Sequence, residues 1–526
     1  MSNNRIICLV DMDCFYVQCE QRLLPDKWGK PCAVAQYNNW GGGGIIAVNY
    51  EARAFGIKRG MRGNDCMKLC HDLHIFPVPA KNDKADLTRY RDASSEVFQV
   101  IDEYIQSLEK ENKVSEQIIL ERASVDEAFL DLTKFINSKP LKLPDIQDLE
   151  AFNTKLNYND LSLKEWIEQI KVRGVYNEQH LQLIMGALLV GRLRQLIYEK
   201  TQFKCSAGIS HNKMLAKLTC GKNKPNAQTI LPMEGVPTYF ESVRITDVRS
   251  LGGKLGKQVK EMFKIETMAQ LNQISQFLLN SSFDSSTAKW LHQLTMGIDD
   301  EIVTNRKLSK SIGCGKNFPG KNALSKPQDI KHWINVLCEE IFTRMENDRL
   351  TNKRLANQIV VGFSTAKKAN SSKSINLDLV GDQYPKTDYI ASKVIQTVMT
   401  SSEQFEPFQN LSIVATKFTD IKPDQFKTTT IDKFFKKTDI PKQNNSKLII
   451  SDEMEKSKNN NLTTKIEEIR DFDLCAQSKL DTDGDKVSSK MESFFFRKIL
   501  SLYDFNNQNI YKMEFENESK EQQIVD

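Results

Sequence analysis

Two short clusters of acids carry the chemistry that this sequence makes available. Asp11-Met12-Asp13 follows the apolar, β-prone run Ile6–Val10, and Ser124-Val125-Asp126-Glu127-Ala128 sits beside a second alternating run. If the two runs are neighbours in one sheet, Asp11, Asp126 and Glu127 converge at one edge. Carboxylate oxygens without His or Cys suit hard cations such as Mg2+ or Mn2+. Such a cluster can hold two ions roughly 3.5–4 Å apart, the arrangement behind in-line phosphoryl or nucleotidyl transfer. Acids just past a strand are also common as solvated turn residues, and either cluster alone is open to that reading. Asp131 and Asp13 are read that way, Asp13 with its own helix to cap.

Cations that could receive a phosphate lie in two places. Tyr50 to Arg59 puts Arg53 and Arg59 on one short element, and arginine can clamp a triphosphate with two parallel hydrogen bonds. Lys213, Lys217, Lys222 and Lys224 follow the run Phe203–Ile209, where a lysine would act as a point charge on a β or γ phosphate. Lys213 and Lys222 read as a solvated basic face. Arg59 and Lys224 stay undecided on spacing alone.

The elements that must position these groups are mixed. Ile6–Val10, Pro31–Tyr37, Ile45–Asn49 and Phe203–Ile209 read as short strands, and Ser124–Leu132 alternates. Cys14–Leu23, Tyr50–Phe55, Arg89–Leu108, most of Ser162–Lys200 and Lys213–Thr219 read as helices. Acids at the ends of two strands among helices make an α+β or split βαβ pattern. Around Leu251-Gly252-Gly253-Lys254-Leu255-Gly256, glycine turns between short helices let backbone N–H groups approach a phosphate. Helices continue to about Asp300, a linker carries Arg306, Lys307 and Lys310, and residues 311–418 alternate strand, helix and strand. Beyond about Asp420, asparagine runs and few core residues mark a disordered tail.

Composition bounds the rest. The chain has 526 residues, enough for three or four domains, with 40% hydrophobic and 27% charged residues, ordinary for a globular protein with a core. A net charge of +5 permits nucleic-acid binding without arguing for it. Eleven cysteines lie scattered without paired spacing, which fits free thiols in a reducing compartment. The polar N-terminus and its short apolar run do not make a signal peptide, and the apolar stretch Leu181–Val190 reads as a buried helix, so no membrane partner is expected.

Taken together these strings resemble the Y-family DNA polymerases. The resemblance rests on Leu9-Val10-Asp11-Met12-Asp13-Cys14-Phe15-Tyr16, on residues 123–133 around Asp126-Glu127, and on residues 205–213. The eta branch of that family is resembled in particular by Gly42 to Gly56, by Arg249-Ser250-Leu251-Gly252-Gly253-Lys254-Leu255-Gly256, and by residues 312–321. The match runs to about residue 420, roughly four-fifths of the chain.

The resemblance implies a multidomain right hand: a catalytic palm over 1–13 and 83–231, fingers over 14–82, a thumb over 232–300 and a little finger over 308–420, with 421–526 a disordered tail. It implies a translesion polymerase that adds deoxynucleotides to a primer across UV lesions such as cyclobutane pyrimidine dimers. Asp11, Asp126 and Glu127, with the carbonyl of Met12, would ligate two Mg2+ ions, for which Mn2+ can substitute. Tyr50, Arg53, Arg59 and Lys224 would handle the incoming deoxynucleoside triphosphate, Gln36 would contact the templating base, and Tyr16 would be the steric gate against ribose. The turn Gly41–Gly44 and Ala47 would leave room for a bulky template base, though the glycines also simply close a hairpin. Gly252, Gly253, Lys254, Gly256, Lys316 and Lys321, and the basic linker, would contact primer-template DNA at its phosphates. Nuclear localisation is expected.

Two strings in the tail resemble sliding-clamp peptides: Ile431, Phe434 and Phe435, and again Met491, Phe494 and Phe495. In such peptides a short turn presents apolar anchors to a groove. Both lack the usual first glutamine, and the paired phenylalanines also resemble motifs that dock on the family's scaffold polymerase, the deoxycytidyl transferase. No His follows His332 and only Cys475 follows Cys338, so a Cys2His2 zinc site in the tail is impossible. Competing readings are a nucleotide cyclase with the same acids, a non-catalytic scaffold that binds DNA and clamp, and an iota- or kappa-like member of the same family.

Overall fold

The structure, a computed structural model, describes residues 5–36, 43–115, 117–158, 161–172, 177–365, 370–400 and 406–421. Its strands, in chain order, are Ile7–Met12 (β1), Cys32–Gln36 (β2), Gly44–Val48 (β3), His74–Pro77 (β4), Ala80–Lys81 (β5), Lys84–Ala85 (β6), Ile119–Arg122 (β7), Glu127–Asp131 (β8), Thr154–Leu156 (β9), Cys205–Ser210 (β10), Gln228–Ile230 (β11), Ile312–Asn317 (β12), Arg354–Thr365 (β13), Ser371–Asn376 (β14) and Phe408–Asp420 (β15). The mixed helix and sheet expected of an α+β chain is what folds. Asp11 belongs to β1, and Asp126 lies in the turn that leads into β8 rather than within a strand.

The largest sheet has the order β7-β8-β1-β10-β11-β9, with β1 antiparallel to both β8 and β10. A strand in such a position is covered on both faces, which explains why its sequence is an unbroken apolar run. Ile6, Cys8, Val10 and Met12 belong to a core shared with the long helices Thr88–Glu111 and Glu178–Thr201. Ile7 and Leu9 pack on the other side with Phe129, with Ala216 and Cys220 of the helix Lys213–Lys222, and with Val303. Side chains alternate faces along a strand, so Asp11 projects with Ile7 and Leu9, and Glu127 projects with Phe129. Both acids therefore lie on the side that the helix Lys213–Lys222 covers. Gly208 makes that packing close, because a Cβ there would sit 2.0 Å from the Ala216 carbonyl oxygen. The helix Glu178–Thr201 is long and apolar enough to cross a membrane, yet its apolar residues are core residues packed with this sheet.

Three smaller units complete the described chain. β3-β2-β4 form a sheet with its own small core, and β5 and β6 form a hairpin turned at Asn82 and Asp83, both left-handed (φ 51° and 55°). Short helices between Val236 and Thr295 share a separate core. β12, β13, β14 and β15 make an all-antiparallel sheet in the order β12-β15-β13-β14, covered by the helices Pro327–Asn352 and Thr387–Thr400.

Candidate active site

Strand register brings the acids together. Asp11 on β1 pairs directly with Glu127 on β8, and the Met12 N–H donates to the Asp126 carbonyl at 2.9 Å. Ser124 shapes the turn: its hydroxyl donates to Asp126 at 2.6 Å and accepts the N–H groups of Asp126 and Glu127. Burial pushes the Asp11 carboxyl up to about 6 against the pull of Lys224, and the charges of Glu127 and Asp126 add to it. Three carboxylates thus feel one another at one sheet edge, as the acid spacing predicts.

Lysines from the next segment neutralise this edge. Lys224 Nζ lies 2.6 Å from Asp11 and 3.4 Å from Asp13, and Lys217 Nζ lies 2.6 Å from Glu127. Burial works against the Lys224 charge, but Asp11, Cys220 and Asp13 hold it protonated well above the usual lysine range. With these ion pairs formed, no three His, Cys, Asp or Glu side chains among the described residues close a metal cage. The donor set still fits a hard divalent cation. It offers oxygen donors without nitrogen or sulfur, and the mutual repulsion that adds to the rise of Asp11 is what such a cation relieves.

Asp13 is a structural residue, but not as a helix cap. The helix Phe15–Leu23 begins after Cys14 with no side-chain cap. Asp13, 2% exposed, instead accepts the Ser206 hydroxyl at 2.9 Å, the Asn226 N–H at 2.7 Å and the Tyr50 hydroxyl at 3.4 Å. It thereby fixes the Lys224-Pro225-Asn226 loop beside β1. Asp131 accepts the Thr133 N–H at 3.0 Å, at the start of a short helix.

The other candidate residues gather in part. The Arg53 guanidinium lies 4.6 Å over the Tyr50 ring, with Nε donating to the Val48 carbonyl at 3.0 Å. Arg59 is exposed, and its charge reaches the Tyr16 hydroxyl, as do those of Asp126 and Arg91. Burial, above all, raises that hydroxyl. The Tyr16 ring stacks on Tyr90, whose hydroxyl donates at 2.5 Å to Glu20, itself paired with Arg89 at 2.7 Å. Gln36 ends β2 with its side chain exposed, opposite Gly44. Gly41 and Gly42 lie outside the described residues, as do Ile431, Phe434, Phe435, Met491, Phe494 and Phe495 of the tail.

The residues expected to meet DNA divide. Gly253 precedes the helix Lys254–Phe263, which has no side-chain N-cap, and Lys254 is exposed. Gly252 is exposed as well, whereas Gly256 is buried, where a Cβ would stand 1.8 Å from the Leu251 carbonyl oxygen. Lys321 is exposed. Lys316 is engaged: its ammonium donates to the Asp83 carbonyl and lies 3.8 Å over the Trp333 ring. In the linker, Arg306 pairs with Glu121 at 3.0 Å and Lys307 with Asp102 at 2.5 Å. Lys213, expected on a solvated face, is 1% exposed and lies between Glu121 and Glu301. Sequence reasoning places Ser124 beside the acids without giving it a role, and it misses Glu20, Arg89 and Tyr90, which carry no signal beyond ordinary helix composition.

Known proteins bear on these residues. The family model described as impB/mucB/samB family matches residues 10–221, its C-terminal domain matches 309–428, and a model described as DNApol eta/Rev1, HhH motif matches 243–298. The chain is 38% identical over 385 residues to DNA polymerase eta of Drosophila melanogaster, covering 68% of this chain and 42% of that one. It is 40% identical over 382 residues to DNA polymerase eta of Arabidopsis thaliana, covering 70% and 54%. Against DNA polymerase IV of Nitrosopumilus maritimus it is 26% identical over 376 residues, covering 70% and 84%. The chain thus spans about half the length of the two eta polymerases it matches.

Proposed function

The chain belongs to the impB/mucB/samB family, the Y-family of DNA polymerases, and on that premise we propose that it is a translesion polymerase of the eta kind, extending a primer opposite UV lesions such as cyclobutane pyrimidine dimers. The observation that carries the reading is the cross-strand pair of Asp11 and Glu127 with Asp126 beside it, faced by Lys224 and Lys217.

Asp11, the Met12 carbonyl, Asp126 and Glu127 would hold two divalent cations, Mg2+ in this reading, which supply activation of the primer hydroxyl and neutralisation of the leaving pyrophosphate. Everything else falls to the chain. Lys224 keeps a full positive charge beside Asp11, where a triphosphate oxygen would compete for it. Arg53 is held over Tyr50 by the Val48 carbonyl, so its fork is oriented before any nucleotide arrives. Arg59 is free to reach a phosphate. The Tyr16 ring, fixed by its stack on Tyr90, blocks the space of a ribose 2′-hydroxyl.

In this reading the six-stranded sheet is the palm (1–13 and 83–231), β2, β3 and β4 belong to the fingers (14–82), the helical core is the thumb (232–300) and the four-stranded sheet is the little finger (308–420). Phosphates of primer-template DNA would be met by the backbone around Gly252 and Gly253 and by Lys254 and Lys321. The tail strings at Ile431, Phe434 and Phe435 and at Met491, Phe494 and Phe495 would dock on a sliding clamp or on the deoxycytidyl transferase scaffold, in the nucleus.

The test is primer extension with single nucleotides on matched undamaged and thymine-dimer templates, with Asp126→Ala, Glu127→Ala as control. Insertion of A opposite both dimer bases by the wild type alone supports the reading. Extension that stalls at the dimer removes the eta assignment and keeps the polymerase. No extension on either template overturns both.

A further inference from the structure

A charge cluster centred on the buried Lys213, with Glu301 and Arg249 on its solvent side, belongs to no part of the site described above. Lys213 opens the helix Lys213–Lys222, with Nζ 2.8 Å from Glu121 and 2.7 Å from Glu301. Glu121, on β7, also accepts the Thr304 N–H at 2.8 Å and Arg306 at 3.0 Å. Glu301 also accepts Arg249 at 2.7 Å. Backbone bonds run alongside: the Arg306 N–H donates to the Leu120 carbonyl at 2.8 Å, and the Arg122 N–H donates to the Arg306 carbonyl at 2.8 Å. Residues 304–306 thus lie against β7, the edge strand of the large sheet, and cover part of an edge that would otherwise be open.

Three cations and two acids therefore join four places. They are the sheet edge next to β8, the helix that supplies Lys217, the loop just ahead of Gly252 and Gly253, and the only covalent link between the helical unit and the four-stranded unit. Burial alone would raise Glu121 and Glu301, but hydrogen bonds from Lys213, with those from Thr304 to Glu121 and from Arg249 to Glu301, outweigh it and hold both below their usual value. Buried ion clusters give little net stability, because desolvation offsets the attraction. Their geometry, however, tolerates few alternatives, which suits a joint.

We propose that this cluster sets where the phosphate-contacting loop and the C-terminal unit stand relative to the acid-bearing sheet, so that Lys213 is a positioning residue for primer-template DNA. The proposal rests on the polymerase reading and deepens it. Lys213→Met strands the buried acid Glu121 and can simply fail to fold. Glu301→Gln, at a side chain 44% exposed, keeps the Lys213–Glu121 pair and carries the test.

In the 526-residue chain Glu301→Gln is expected to raise the dissociation constant and KM for primer-template DNA about three- to ten-fold. The rate at saturating DNA and the KM for deoxynucleotide should stay unchanged, and the amides of Thr304 and Arg306 should exchange with deuterium several-fold faster. Glu301→Asp should recover part of the DNA affinity. A residue that served stability alone would lower the melting temperature without the KM-against-rate split. Unchanged DNA affinity and unchanged exchange in Glu301→Gln overturn the proposal. If the wild type extends no primer, the polymerase reading falls, while DNA affinity and amide exchange still decide for or against the joint.

Discussion

The rings of Tyr16 and Tyr90 lie stacked, centroids 4.1 Å apart and 16° from parallel. Tyr90 is buried, and its hydroxyl is fixed by Glu20, so the plane of Tyr16 has little freedom to move away. Tyr16→Ala is therefore expected to raise the ratio of ribonucleotide to deoxynucleotide insertion by tenfold or more, which is about 1.4 kcal/mol of lost discrimination. Tyr90→Ala should produce a smaller change in the same direction, since the gate remains but its backing is gone. Single-nucleotide insertion with paired ribo- and deoxynucleotides measures both, and an unchanged ratio in Tyr16→Ala would remove its role.

Divalent cation should stabilise the folded chain in a pH-dependent way. The folded Asp11 carboxyl titrates near 6, above the ordinary carboxylate value, so between about pH 4 and 6 the native state keeps a proton that the unfolded chain has lost. In that window this group alone makes stability fall as pH rises. Above it Asp11 is ionised, and a cation can compete with Lys224 for it. The rise in melting temperature on adding Mg2+ should be largest at pH 7 and above and shrink as pH falls through 6. At 100 times its dissociation constant the ion would add about 2.7 kcal/mol. Asp126→Ala, Glu127→Ala should abolish the shift, and a shift that survives in that variant would place the ion elsewhere.

Gly208→Ala should destabilise the acid-bearing sheet. The added methyl would stand 2.0 Å from the Ala216 carbonyl oxygen and 2.4 Å from the Cys220 amide nitrogen, both backbone atoms that cannot rotate away. Overpacking of this kind costs about 1–3 kcal/mol and sometimes more. Denaturant unfolding of variant and wild type reads it directly. A variant of wild-type stability would mean that the helix Lys213–Lys222 can lift off β10 at no cost.

DNA affinity should fall steeply with salt, and its lysines should not count equally. Lys254 and Lys321 are exposed, so Ala at either should lower the slope of log affinity against log salt by about 1 if each meets a phosphate. Lys316 already holds the Asp83 carbonyl and lies over Trp333, and Lys316→Ala should change the slope less. Equal effects at all three positions would show that Lys316 leaves those partners when DNA binds.

The order of residues alone was enough to announce the acids, the mixed α+β architecture and the family. Short-range spacing carries such information: an apolar run ending in Asp11 is a strand ending in an acid wherever it folds. The same holds for the helices Phe15–Leu23 and Glu178–Thr201, whose apolar spacing survives any tertiary arrangement. What spacing could not decide is partnership across long separations. The β1–β8 register, 116 residues apart at Asp11 and Glu127, is what sets those two acids face to face. The fate of each lysine is likewise tertiary. Lys213, Lys217 and Lys224 look alike in the sequence, yet one is buried between two acids, one meets Glu127 and one meets Asp11. A charge takes its role from the dielectric and the counter-charges around it, and those are supplied by segments that only the folded chain brings near.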